Sequence, residues 1–258
     1  MKEFSKRVVT GIVGVLLLIL IVQKGEFYLA TSIFILSLIG LWEFYNALKN
    51  INIKPVETIG YLGAIGIFIS SVNSYFPISA ILTFVTLTLL ISLVLNKDTT
   101  LQDISATLLS IVYIPFLFSH IYYLDGTKYI WLIFIMGFGT DTFAYIFGHL
   151  FGKNKLAPKI SPNKTIEGSF GGIIGSLVFT VIFSLYFELE PLWKLVFLAI
   201  VVSILSQIGD LVASRIKRLA RIKDYGFIMP GHGGVLDRFD SIIFCAPLIY
   251  YYVTYFLN

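Results

Sequence analysis

The chain has 258 residues, 57% of them hydrophobic and 13% charged, with a mean hydropathy of +0.87 and a formal net charge of +4. Soluble domains run at about 45–50% apolar and about 25% charged, so this composition excludes a water-soluble fold and requires a bilayer as solvent. Apolar runs recur along the whole length and no polar stretch could build a second core, which predicts one integral membrane domain over residues 1–258.

In chain order, Lys2, Lys6 and Arg7 precede the apolar run 8–22. The run is long enough to span and no small-residue cleavage site follows it, so it reads as a retained first helix rather than a signal peptide. A crossing helix needs roughly 20 apolar residues. Candidate runs are 7–23, 26–48, 58–72, 78–95, 104–124, 129–150, 169–187, 192–215 and 239–256, of which 58–72 and 78–95 are short or closely spaced. The expected fold is thus all-α and polytopic, with about nine spans. Residues 1–128 form its N-terminal helices, and residues 129–258 hold the polar helices and loops. If alternate segments are assigned to opposite sides, one side receives sixteen basic residues and the other only Lys24, Lys128 and Lys194. The basic side is expected to be cytoplasmic, which places the N-terminus inside and the C-terminus outside. Tyr250, Tyr251, Tyr252 and Tyr255 end the last run, as an interfacial aromatic belt would. The single cysteine, Cys245, lies in an apolar segment and reads as a small core residue.

The first half carries one noteworthy charge, Glu43 beside Trp42, which reads as an interfacial carboxylate paired with a nearby lysine. The second half holds three polar clusters, all at or near the predicted cytoplasmic face. In the first, Asp141 sits inside an otherwise apolar helix, at an insertion cost of at least about 2.5–3.5 kcal/mol, which demands a polar cavity, a cation or a partner base. Asp141, Tyr145, Gly148 and Gly152 share one broad helical face, and His149 and Lys153 follow nearby. His149 reads as an interfacial hydrogen-bonding group.

The second cluster is the loop 153–168, with Lys155, Lys159, Ser161-Pro162, Lys164, Thr165 and Glu167. Ser161-Pro162 resembles an N-cap followed by proline at the first helical position. A helix N-terminus bearing Lys164 and Thr165 offers N–H groups, a cation and a hydroxyl to phosphate.

The third cluster runs from Gln207 to Ser241. Asp210, Ser214, Lys217 and Arg221 advance by four, three and four, which lines one helical face with a carboxylate deep and cations shallow. Gly231, Gly233 and Gly234 allow close backbone approach to a polyanion before a helix starts near Asp237, where Asp237 and Asp240 bracket Arg238.

Carboxylates, bases and glycine-rich backbone on one side of a membrane suit transfer between phosphates. Mg²⁺ takes oxygen ligands, usually one or two carboxylates plus substrate phosphates, and such transfer relies on positioning and charge neutralisation. A pair of cations could stabilise both attacking and leaving oxygens. Asp210 and Asp237 are the first-choice metal ligands, with lysines and arginines holding phosphates outside the metal shell. Residue chemistry alone does not specify the nucleotide or the lipid.

The stretch from Ser214 through Lys217-Arg218, Lys223-Asp224, Gly226, Pro230-Gly231-His232-Gly233-Gly234 to Asp237-Arg238-Phe239-Asp240 resembles the signature of the phosphatidate cytidylyltransferases. The segments Asp141–Tyr145, Phe151-Gly152-Lys153 and Ser161–Gly168 are similar to that family as well. The specific match covers the C-terminal half. Met229 stands where the family usually has Leu, Ile or Phe, and His149 where Lys or Arg is usual.

The resemblance implies that a phosphate oxygen of phosphatidic acid attacks the α-phosphorus of CTP, giving CDP-diacylglycerol and pyrophosphate for phospholipid synthesis. It also implies dependence on Mg²⁺, with a second cation in a two-metal version, a homodimer in the cytoplasmic membrane, and a cavity opening to the cytoplasm. Carried over, Asp210 and Asp237 are metal ligands, and Lys217, Arg218, Lys223, His232 and Arg238 surround phosphates. Asp141, Lys153, Lys164, Thr165, Ser214, Gly233 and Gly234 contribute to substrate binding. No nucleic-acid partner is expected.

A polyprenol-type or phytol-type lipid kinase shares the setting but would transfer the γ-phosphoryl group. A CDP-alcohol phosphotransferase would need a D-G-x2-A-R motif, whereas Asp125-Gly126 continues as Thr-Lys-Tyr. A transporter would use Asp141 and Asp210 for ion coupling, but its polar load and helix breaks usually recur in both halves, and no repeat is present here.

Overall fold

The computed structural model describes the chain apart from Met1, Ser74, Pro230, His232 and Asn258, with residues 2–7 described in backbone only. Each apolar run of the sequence becomes a helix. They are α1 (Lys2–Lys24), α2 (Glu26–Lys49), α3 (Glu57–Val72), α4 (Ile78–Leu95), α5 (Leu101–Ile111), α6 (Leu117–Tyr122), α7 (Ile130–Phe151), α8 (Ile166–Tyr186), α9 (Leu192–Leu219) and α10 (Leu236–Tyr252). A π-helical turn, Val112–Phe116, joins α5 to α6, and a second, Val253–Leu257, extends α10. Pro115 lies inside the first turn, where its missing N–H and its ring interrupt the α-helical ladder.

Among the described residues, 7 helices are long and apolar enough to cross a membrane: α2, α4, the α5–α6 rod, α7, α8, α9 and α10 with its extension. Residues 8–24 of α1 and all of α3 are shorter apolar helices. The protein is an all-α, multi-pass membrane protein.

Contacts divide it into two units. The first comprises residues 1–125 and 219–238. Its core gathers Ile67, Val85, Leu89, Ile104 and Ile111 from α3, α4 and α5. Several polar groups inside it pair with one another, as a medium without water favours. The Ser110 hydroxyl donates to Tyr45 Oη at 3.0 Å, and Thr100 and Asp103 form a capping box at the start of α5. Asp103 also accepts the Lys54 N–H at 2.6 Å. At the N-terminal end of α2, Asp125 accepts the Glu26 N–H at 2.5 Å.

The second unit comprises residues 126–218 and 239–258. Its central contact is α7 against α8. Gly171 and Gly175 of α8 lie directly beneath Phe147 and Phe143 of α7, where any β-carbon would collide with a ring. Small residues that let backbones approach are the usual means of helix association in lipid. Thr140 donates to Ser203 Oγ at 2.9 Å, and Gln207 Nε2 donates to the Ser169 carbonyl at 3.2 Å, tying α9 to both helices.

The loop between α7 and α8 departs from expectation. It contains two antiparallel strands, β1 (Lys155–Ala157) and β2 (Ser161–Thr165). Ser161-Pro162 therefore opens a strand rather than a helix, in keeping with the extended conformation that proline imposes on the residue before it. The N-cap of α8 is Thr165, whose hydroxyl accepts the Gly168 N–H at 3.1 Å. Similarly, α9 ends at Leu219, and Arg221 follows with φ of 58°, so Arg221 does not continue the helical face of Asp210.

Candidate active site

Within the second unit, α7, the β1–β2 hairpin, α8 and α9 line an open cleft. Its wall includes Asp141, Tyr145, Gly148, His149 and Gly152 from α7, Lys155, Asn163, Lys164 and Thr165 from the hairpin, and Gln207 and Asp210 from α9. The shared α7 face predicted from residue spacing is thus one side of a cavity. Gly148 and Gly152 pack against Thr165, and this close approach seats the hairpin on α7.

The charges in the cleft are matched across elements. Lys164 Nζ lies 2.5 Å from Asp210 Oδ2, and the Ser214 hydroxyl donates to Asp210 Oδ1 at 3.2 Å. Asp141 accepts a 2.9 Å hydrogen bond from the Ser241 hydroxyl, and the Asp240 carboxylate feels the charges of Asp210, Asp141 and Lys217. Gly209, directly before Asp210, lies against the Asp240 carbonyl and Phe244, which permits α9 and α10 to come this close. Three aspartates and two lysines of this unit are consequently coupled in one electrostatic cluster. Asp240 and Ser241 had no assigned role in the sequence reading, because the one-hundred-residue separation from Asp141 hides their partnership.

Other expected residues fall around this cluster. Arg218 Nε donates to the Ile160 carbonyl at 3.5 Å, bringing its guanidinium to the hairpin. Thr165 lines the cleft, but its hydroxyl is engaged as the α8 cap. Lys153 is exposed and does not line the cleft, whereas Lys155 does. Glu167 organises this stretch by accepting the N–H groups of Lys153 and Asn154 and the Asn154 side-chain amide.

The glycine-rich signature lies in the first unit. Met229 and Gly233 pair in an isolated antiparallel bridge, with Gly231 and Gly233 at φ of 77° and 88°, conformations that favour glycine. Asp237 Oδ2 accepts the N–H groups of Tyr225 at 2.8 Å and Gly234 at 3.0 Å. Lys223 and Arg238 are exposed in the same segment, and His232 lies outside the described residues.

Glu43 overturns its expected role. It is fully buried, and its partners are backbone groups rather than a lysine: Oε1 accepts the Val235 N–H and Oε2 the Leu236 N–H, each at 2.9 Å. Gly226 and Gly234 lie against the same carboxylate, so Gly234 faces Glu43 as well as Asp237.

Among the described residues, no three or more histidine, cysteine, aspartate or glutamate side chains form a group that could hold a metal ion. The donor chemistry suits Mg²⁺ nevertheless. All the candidate donors are carboxylate oxygens, and Mg²⁺ typically takes one or two of these and completes its octahedron with phosphate oxygens and water.

A profile of the Cytidylyltransferase family matches residues 5–256. A protein of Staphylococcus epidermidis named phosphatidate cytidylyltransferase is 37% identical over 254 residues, covering 94% of this chain and 96% of that one. Proteins of the same name from Staphylococcus saprophyticus and Staphylococcus aureus are 37% and 35% identical, with the same coverage. The match runs through the N-terminal helices as well as the polar clusters, and the chain belongs to the cytidylyltransferase family, which makes it a nucleotidyltransferase.

Proposed function

We propose that this protein transfers CMP from CTP to phosphatidic acid, forming CDP-diacylglycerol and pyrophosphate at the cytoplasmic face of the cell membrane. The observation that carries the reading is the cleft of the second unit, where the Lys164–Asp210 ion pair and Asp141 face a space between membrane helices. The names of the relatives support the same lipid and nucleotide.

In the reaction, an oxygen of the lipid phosphate forms a bond to the α-phosphorus of CTP as the bond from that phosphorus to the α,β-bridging oxygen breaks. Pyrophosphate leaves with the bonding electrons. No covalent intermediate with the protein is needed, and the work of the chain is to position two polyanions and offset their charge. Lys164 lines the cleft from the hairpin, Lys217 of α9 acts on Asp240, and Arg218 is held at the hairpin. With Lys223, His232 and Arg238 of the signature, they are assigned to the phosphates. Asp210 and Asp237 are assigned as ligands of Mg²⁺, which when bound supplies charge neutralisation to the triphosphate and the attacking phosphate. Asp141 and Thr165 line the cleft, and Ser214 bonds Asp210 beside it. The active enzyme is taken to be a homodimer in the bilayer.

The test is turnover by purified protein in detergent with phosphatidic acid, Mg²⁺ and CTP labelled at either the α- or the γ-phosphorus. The expected result is α-label in the lipid and γ-label in pyrophosphate. Transfer of γ-label to the lipid would make the protein a kinase and overturn the proposal.

A further inference from the structure

Glu43 belongs to α2, far in sequence from every residue assigned to the reaction, yet its carboxylate is spent entirely on the signature. It bonds the N–H groups of Val235 and Leu236, across 192 and 193 residues, at the point where α10 begins. The first N–H groups of a helix have no partner within it, and a carboxylate there also meets the positive end of the helix dipole. The cap that Ser, Thr or Asp commonly supplies from inside the chain is here supplied by another helix. Two further contacts strengthen the attachment. The ring of Phe44, the next residue, lies 6.4 Å from that of Tyr225, and Gly226 and Gly234 both lie against the Glu43 carboxylate. A β-carbon at Gly226 would come to 2.5 Å from Oε1, so these glycines admit the carboxylate to the backbone. Asp237 closes the arrangement by bonding the N–H groups of Tyr225 and Gly234. The loop is gripped from α2 by one carboxylate and from its own helix by another.

We infer that Glu43 is a positioning residue for the transfer: its carboxylate fixes the start of α10 and thereby sets where Asp237 and the signature loop are held. The inference rests on the proposed reaction for its catalytic consequence, but the grip on the loop is measurable without it. In Glu43→Gln one acceptor oxygen is replaced by a donor amide that faces an N–H group, while size is kept. The kcat per folded molecule should fall about 10–100-fold, as when an outer partner of a site is removed. The KM for CTP should change less than about threefold, because ground-state binding is not what is lost. Amide hydrogen exchange at Val235 and Leu236 should quicken, and Glu43→Asp, which keeps the charge, should recover part of kcat. Gly226→Ala approaches the same carboxylate from the loop and should reproduce the kcat defect, which covers the case where Glu43→Gln does not fold.

A merely structural role predicts a lower melting temperature with kcat per folded molecule within about twofold of the unsubstituted chain. That result, or unchanged exchange at Val235 and Leu236, overturns the inference. If the unsubstituted chain itself moves no label from CTP to lipid, the proposed function fails, and the exchange comparison still decides whether Glu43 holds the loop.

Discussion

At the scale of single residues, Asp210 is the point where the requirements of the membrane and of the reaction meet. A carboxylate in a helix that otherwise crosses a bilayer needs a compensating charge, and Lys164 provides it at 2.5 Å while both groups remain partly open to the cleft. Asp210→Asn and Asp237→Asn should each lower CMP transfer by more than the about 10–100-fold that loss of an outer-shell partner costs, with the protein still inserted and folded. Full activity in both would remove the metal assignment. Lys164→Met leaves Asp210 without its cation and the triphosphate without one contact. Its effect should appear mainly as a rise in the KM for CTP of about tenfold, equivalent to roughly 1.4 kcal/mol, and initial-rate measurements over a CTP series would read it. Ser241→Ala removes a hydroxyl that donates to Asp141 and should destabilise the fold by about 1–3 kcal/mol, measured as a fall in melting temperature in detergent.

Among the elements, legibility in the sequence tracks how local the cause is. Apolar runs set the helices, because a bilayer leaves the backbone no other way to satisfy its hydrogen bonds, and predicted and observed limits agree closely for α2 and α4. The shared face of Asp141, Tyr145, Gly148 and Gly152 was equally readable, since helical period alone creates it. The β1–β2 hairpin was not. Its strands are short and carry no clear alternation, and the hairpin is seated where Gly148 and Gly152 let Thr165 close against α7. The Glu43 cap was hidden for another reason, since no local pattern announces a partner nearly two hundred residues away.

The cap at Thr165 offers a test at this scale. Thr165→Ala should lose about 1 kcal/mol and loosen the first turn of α8, whereas Thr165→Ser should keep both. Thermal unfolding and amide exchange at Gly168 would distinguish them. Gly171→Leu should be far more severe, because its side chain would have to displace Phe147 along the α7–α8 contact.

Considered as a whole, the sequence assigns sixteen basic residues to one side and three to the other, and that asymmetry predicts how the chain is oriented in the membrane. The hairpin with Lys155, Lys159 and Lys164 and the signature with Lys217, Arg218, Arg221 and Lys223 are separated by the two candidate spans α8 and α9, which puts them on one side, and α4 decides whether the N-terminus shares it. That helix is the most lipid-like of the set, with a hydropathy of 2.5 and only 11% of its window buried. Its burial in protein cannot explain so apolar a sequence, but a bilayer can. Topology can be read with single cysteines, because the native Cys245 is fully buried and gives a silent background. Tyr75→Cys and Thr127→Cys, both at exposed positions, should react with a membrane-impermeant maleimide on intact cells. Lys97→Cys and Lys159→Cys, also exposed, should react only once the cells are opened. The opposite pattern would put the cleft on the wrong side for CTP and reverse the orientation. Labelling of positions 75 and 97 from the same side would take α4 out of the membrane and place the hairpin and the N-terminus on opposite faces.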